Sequence, residues 1–230
     1  HFSGRFGPKN VPVPFPPWID DMTVYEHALV GVDGALAAGL HRRYGWQIVA
    51  WAACAAVLPD WDGLTLLLGP SWYALGHRVW GHNVLVAGIL AACVSGLVWR
   101  LDPMTSARSW LARRWAAFRA DDLAETAARA APGGVAVWVT VGVAAAYSHL
   151  LADLVFSRGA GLPVWGVPLF WPFDRTDRAY PLVPWGDVGA TVILASGMFA
   201  MLRWPARTRP IAFGALAAVV AYAAARGLIL

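Results

Sequence analysis

His149-Leu150-Leu151-Ala152-Asp153 sets an imidazole and a carboxylate four residues apart. On a helix that spacing stacks both side chains on one face, a turn apart, where they can share a cation. A second group is denser. Asp60 and Asp62 lie in Leu58-Pro59-Asp60-Trp61-Asp62-Gly63, and His77, Arg78 and His82 lie in His77-Arg78-Val79-Trp80-Gly81-His82. His27 stands alone upstream. Imidazoles mixed with carboxylates suit Zn²⁺, with Mn²⁺ or Fe²⁺ as the other candidates; an all-oxygen Mg²⁺ or Ca²⁺ site would not need the histidines. The predicted metal ligands are His27, Asp60, His77, His82, His149 and Asp153, with Asp62 as a further ligand or a general base. These candidates outnumber the ligands of a single zinc, so one ion or a two-metal centre is expected. Arg78 would clamp a phosphate or carboxylate.

Each motif also has a plainer reading. His149 and Asp153 could simply hydrogen-bond each other and stabilise a helix packing. Pro59 turns the chain, after which Asp60 and Asp62 could converge on a cation or cap the next helix. His77 and His82 would lie about 140° apart on an ideal helix, so they converge only if Gly81 breaks it or if they serve different metals. His27 begins a series with Gly31, Ala35 and Gly39. Small residues four apart mark a close helix approach, so His27 should face the bundle interior. Glu26 and Asp33 in the same span fit no motif.

The elements that would position these groups are membrane helices. Apolar residues make up 58% of the 230-residue chain and charged residues only 14%, far below the roughly 25% of soluble domains. The fourteen tryptophans suit membrane interfaces, near which many of them fall. The net charge of +4 comes from arginines grouped in loops, with Lys9 the one lysine. That pattern reads as membrane topology and not as nucleic-acid binding. Cys54 and Cys93 sit in apolar runs and are expected to be small buried hydrophobes.

Residues 1–21 form a proline-rich extension unsuited to a helix and unlike a signal peptide, with Met22 a candidate start. Residues 22–230 read as one all-α, polytopic membrane bundle. Its six apolar segments lie at about 22–40, 46–58, 84–101, 133–156, 187–202 and 211–230. The second falls short of the roughly 20 residues that cross a bilayer, so its end should be recessed. Leu64–Leu75 reads as a re-entrant or interfacial segment. Residues 102–132 form a basic connection with an amphipathic, cytoplasmic character. Arg42 and Arg43, the 100–129 arginines, and Arg203, Arg207 and Arg209 fall on one side of this arrangement, which the positive-inside rule makes cytoplasmic. Every candidate ligand then gathers at the opposite, periplasmic face. His41 falls on the other side and is excluded.

Met22-x4-His27, Leu58-Pro59-Asp60-x-Asp62, Gly76-His77-Arg78-x3-His82, Ser148-His149-x3-Asp153 and Gly166-Val167-Pro168-Leu169-Phe170-Trp171-Pro172-Phe173 occur in this order. Over about 22–173 the chain resembles bacterial inner-membrane, metal-dependent hydrolases of the YdjM type. Their His-x3-Asp is similar to that of zinc-dependent phospholipase C. Two departures stand out. The family commonly has His-Arg-Gly-x-Thr-His-Ser where this chain has His77-Arg78-Val79-Trp80-Gly81-His82-Asn83, and Gly63 replaces a frequent histidine. The resemblance and the residues together imply a metal-dependent hydrolase of the bacterial inner membrane. It would use a metal-activated water on a membrane lipid or lipid-linked (phospho)ester. A non-catalytic membrane protein with a structural metal or polar cluster, and a ceramidase-like lipid amide hydrolase, are the alternatives. Trp61, Trp72, Tyr73, Trp80, Trp165 and Trp171 would line the pocket mouth or anchor the interface.

Overall fold

A computed structural model describes residues 23–103, 133–158, 164, 166–184 and 186–229. The extension at 1–21, the Arg108–Ala131 connection and Trp165 lie outside the described residues. What is described is helical, without a β-strand; two isolated bridges, Arg158 with Pro184 and Val167 with Arg178, occur in a loop. The order is α1 (Val24–Ala37), α2 (Leu40–Tyr44), α3 (Trp46–Ala55), a 3₁₀ helix (Leu58–Leu68), α4 (Pro70–Gly76), α5 (Val84–Leu101), α6 (Val135–Val155), α7 (Gly189–Arg203) and α8 (Thr208–Ile229).

Among the described residues, three helical stretches are long and apolar enough to cross a membrane: Val84–Leu101, Val135–Val155 and Pro205–Ile229. The other expected spans are shorter, with 14 residues in α1, 10 in α3 and 15 in α7. Glycine explains one shortfall. Gly39 and Gly45 adopt φ of 74° and 80°, left-handed conformations that end helices and that residues with a Cβ avoid. The predicted span 22–40 therefore stops at Ala37, and Gly39 terminates the small-residue series instead of continuing its face. Gly31 does behave as expected. A Cβ there would strike the Ala52 carbonyl oxygen, so α1 and α3 pack backbone to backbone.

α1 is the central helix, touching α2, α3, α6, α7 and α8. Its start is held by Glu26, which accepts from the Thr23 N–H at 2.8 Å and from the Thr23 hydroxyl at 3.0 Å. Thr191 of α7 also donates to Glu26, so this acid caps one helix and ties down another. Behind α1, the Trp51 indole N–H donates to Ser95 Oγ at 3.2 Å and the Ser95 hydroxyl donates to the Ala91 carbonyl at 2.6 Å. Gly142 of α6 makes room for that pair. Just before α7 and near the end of α8, Asp187 accepts from Tyr222 at 2.5 Å and lies 3.1 Å from Arg226. Cys54 and Cys93 are exposed thiols, contrary to the burial expected of them. Helical phase places them on the outer faces of α3 and α5, where apolar residues of a membrane bundle also stand.

Arg42, Arg43, Arg203, Arg207 and Arg209 lie at the end of α1 remote from His27, while Arg78, Arg158, Arg175, Arg178 and Arg226 lie towards the His27 end. Arg42 donates to the Ala206 carbonyl and Arg209 to the Ala37 carbonyl, each at 3.4 Å.

Candidate metal centre

Four elements converge on one point near the start of α1. α1 contributes His27, and α6 contributes His149 and Asp153 one turn apart, as their spacing predicts. The 3₁₀ helix contributes Asp60, and the turn after α4 contributes His82. The helix α4 ends at Gly76, so His77 and His82 are never on one helical wheel. The chain breaks ahead of His77 and not at Gly81; the two rings come within 5.5 Å, but only His82 enters the centre, while His77 turns to Asp62.

His82 Nε2 lies 3.1 Å from His149 Nε2, 3.4 Å from Asp60 Oδ1 and 3.2 Å from Asp153 Oδ2. His149 Nε2 lies 3.4 Å from both of those oxygens. Each of these separations is close to the edge, about 3.3 Å, of a tetrahedron whose corners lie about 2.0–2.1 Å from its centre, the span of zinc–nitrogen and zinc–oxygen bonds. Asp60 groups with His82 and His149, and Asp153 with His27 and His149. His27 stands beside this set, its Nε2 3.3 Å from Asp153 Oδ1 and its ring stacked on His149 at 3.7 Å.

Hydrogen bonds on the outer side of the rings decide what the inner nitrogens offer. His149 Nδ1 faces the Ala56 carbonyl at 2.8 Å, an acceptor only, so in the neutral ring Nδ1 carries the hydrogen and Nε2 keeps its lone pair. His82 Nδ1 likewise meets Asp62 Oδ2 at 3.0 Å. Asp62 also accepts from the Gly81 N–H at 2.7 Å and sits 3.0 Å from His77 Nδ1. Burial alone would push the Asp62 carboxyl up; hydrogen bonds from His77 and His82 outweigh it and hold it below the usual carboxylate range. The Asp60 carboxyl is depressed too, its own burial outweighed by His149 and His82. Two imidazole lone pairs and two carboxylates thus face one another. Positive charge at their centre, a metal ion or protons taken up by the rings, relieves this crowding of acceptors. The pull is visible in His82. Burial disfavours its charged form, yet Asp153, Asp60 and Asp62 together raise its pKa well above the ordinary value.

The expected site residues therefore fall into two layers. Asp60, His82, His149 and Asp153 meet at the centre with His27 beside them; His27, His149 and Asp153, and separately Asp60, His82 and His149, have donor atoms within 4.8 Å of one another. Asp62, His77 and Arg78 stand behind them. Asp62 is fully buried on the far side of His82. His77 reaches Asp62 and stacks on Tyr73 at 4.4 Å. Arg78, buried and with φ of 60°, puts Nη2 3.5 Å from Asp153 Oδ1. Asp33 is also fully buried in α1 and lies outside both layers.

Several supports escaped the sequence reading. Asn83 caps α5 by accepting from Val86 N–H at 2.8 Å, and its amide donates to the Val79 and Trp80 carbonyls. A capping residue just before an apolar run was the available signal. The Ala56 carbonyl and the Gly81 N–H are backbone groups, which carry no sequence signal. Gly81 is also needed for space, since a Cβ there would collide with the Pro59 carbonyl. The Gly166–Phe173 loop reaches the same turn through Leu169, whose carbonyl accepts from Val84 N–H at 2.9 Å.

No curated protein and no solved structure matches the chain. A family model described as YdjM inner membrane protein matches residues 22–229. That match spans every helix described above and all five convergent side chains, and the chain belongs to the YdjM inner membrane protein family.

Proposed function

We propose that this membrane protein is a metal-dependent hydrolase, with one divalent ion, Zn²⁺ in preference to Mn²⁺ or Fe²⁺, held by Asp60, His82, His149 and Asp153. The observation that carries this reading is the set of 3.1–3.4 Å separations among lone-pair-bearing atoms. One ion is favoured over two. The second position, beside His27 and Asp153 Oδ1, already has the Arg78 guanidinium within 3.5 Å of that oxygen. Such an ion supplies Lewis-acid polarisation and a water ionised near neutral pH.

The chain's own residues do the remaining work. Asp62 and the Ala56 carbonyl lock His82 and His149 in the tautomer that presents Nε2. Arg78 steadies Asp153 and adds positive charge behind it, which favours an anionic group at the site. Asp60 is 22% exposed while His82, His149 and Asp153 are at most 2% exposed. A catalytic zinc keeps three protein ligands and a place for water. The open side at Asp60 supports that reading, with His82, His149 and Asp153 keeping the ion and Asp60 giving up its place to the water or serving it as a base. The site's place at the end opposite the loop arginines Arg42, Arg43, Arg203, Arg207 and Arg209 supports a periplasmic location by the positive-inside rule, and a site among membrane helices supports a lipid or lipid-linked ester as substrate.

Elemental analysis of the detergent-purified chain, with a chelator-sensitive assay on a panel of phospholipids and lipid amides, tests the reading. About one equivalent of zinc and chelator-sensitive ester cleavage are expected. A metal-free protein of intact fold would sink it; cleavage of amides alone would move it to the ceramidase-like class. Asp62→Asn swaps an acceptor for a donor at His77 or His82, and metal affinity should fall about 10–100-fold, measured by competition with a chromophoric chelator.

A further inference from the structure

The 3₁₀ helix sorts its residues by threes, because at three per turn positions i and i+3 eclipse. Pro59, Asp62 and Thr65 form its buried ridge. Trp61, Leu64 and Leu67 form an outward ridge, 39%, 64% and 83% exposed. The large apolar residues after it, Leu68, Trp72 and Leu75, are exposed as well. One short segment thus turns its acids towards the histidines and its apolar side chains away from the protein.

Its depth follows from helix lengths. α3 starts beside Arg42 and Arg43 and has ten residues; at about 1.5 Å per residue it climbs only about half of a bilayer core. The 3₁₀ helix therefore begins inside the membrane, and the chain leaves the segment into α5, whose Val84, Leu85 and Ile89 are exposed in turn. The two apolar surfaces run into each other. We propose that the Trp61–Leu64–Leu67 ridge, with Trp72 and Leu75, is embedded in lipid hydrocarbon at the level of the metal centre and forms a sill. Across it an acyl lipid of the same leaflet slides its polar head sideways to Asp60, the least buried member of the convergent set. The substrate half of this proposal rests on the hydrolase reading; the insertion half does not.

The test uses the full chain in phospholipid nanodiscs, with Cys54 and Cys93 replaced by alanine and a nitroxide attached at Leu67→Cys or, in a second protein, Leu64→Cys. Relaxation by oxygen should exceed relaxation by a water-soluble nickel chelate at both sites. Dominance of the chelate, or spin coupling between two copies, overturns the insertion. In parallel, Leu64→Gln/Leu67→Gln should lower kcat/KM on a long-chain phospholipid about tenfold or more, through lost apolar contact, and leave a soluble short-chain ester unchanged. Equal losses on both overturn the access role. A parent chain that cleaves neither substrate removes the hydrolase reading, while the nitroxides still decide where the ridge lies.

Discussion

His149→Ala and Asp153→Ala proteins should each purify without the divalent ion that the parent chain is expected to carry. Each substitution removes a donor whose neighbours lie 3.2–3.4 Å away on more than one side, so the remaining groups cannot close around an ion. The loss should exceed the roughly 10–100-fold drop expected from outer supports such as Asp62. The fold should feel it too. Without His149, the Asp60 and Asp153 carboxylates share a buried space, and breaking a buried pair costs about 3–5 kcal/mol. His41→Ala, among the arginines at the other end of α1, is the control and should retain the metal. Metal content by mass spectrometry and thermal unfolding in detergent measure both effects. Unchanged metal in His149→Ala would remove the site assignment.

A second large effect should come from a residue with no side chain. Gly81→Ala should empty the metal centre about as thoroughly as loss of a ligand. Its new methyl would run into the Pro59 carbonyl and come within 3.1 Å of Asp62 Oδ2. Pro59 is backbone in a packed helix and cannot swing aside, so the 77–83 turn must retreat. Retreat breaks the 2.7 Å Gly81 N–H bond to Asp62 and pulls His82 from Asp60, His149 and Asp153. Overpacking and a lost buried hydrogen bond each cost about 1–3 kcal/mol. The α1–α3 and α5–α6 packing does not involve this turn, so the protein should remain folded and membrane-inserted. Gly34→Ala is the contrast: nothing lies within 4 Å of its added Cβ, and it should be neutral or stabilising by about 0.4–1 kcal/mol. Retained metal in Gly81→Ala would show that the turn does not hold His82 in place.

Much of this protein was legible in its chain. An apolar excess with few charges forces helices and forbids exposed strands in lipid. The i,i+4 spacing of His149 and Asp153 sets them on one face whatever packs against it. Gly31 announced a close helix approach on α1, and the order of arginine-rich loops implied that the polar motifs would share the opposite end. Tertiary structure alone decided which of those polar groups meet. Asp60 and Asp62 are two residues apart and look equivalent, but a helix of three residues per turn sends one to the centre and the other behind His82. His77 and His82 differ in the same way, because the chain abandons the helix at Gly76 and only the turn's path determines which ring reaches His149. The partners that orient the rings, the Ala56 carbonyl and the Gly81 N–H, exist in every residue's backbone, so only their placement in space gives them a role. Side-chain chemistry is written locally; convergence is a property of how separate helices pack.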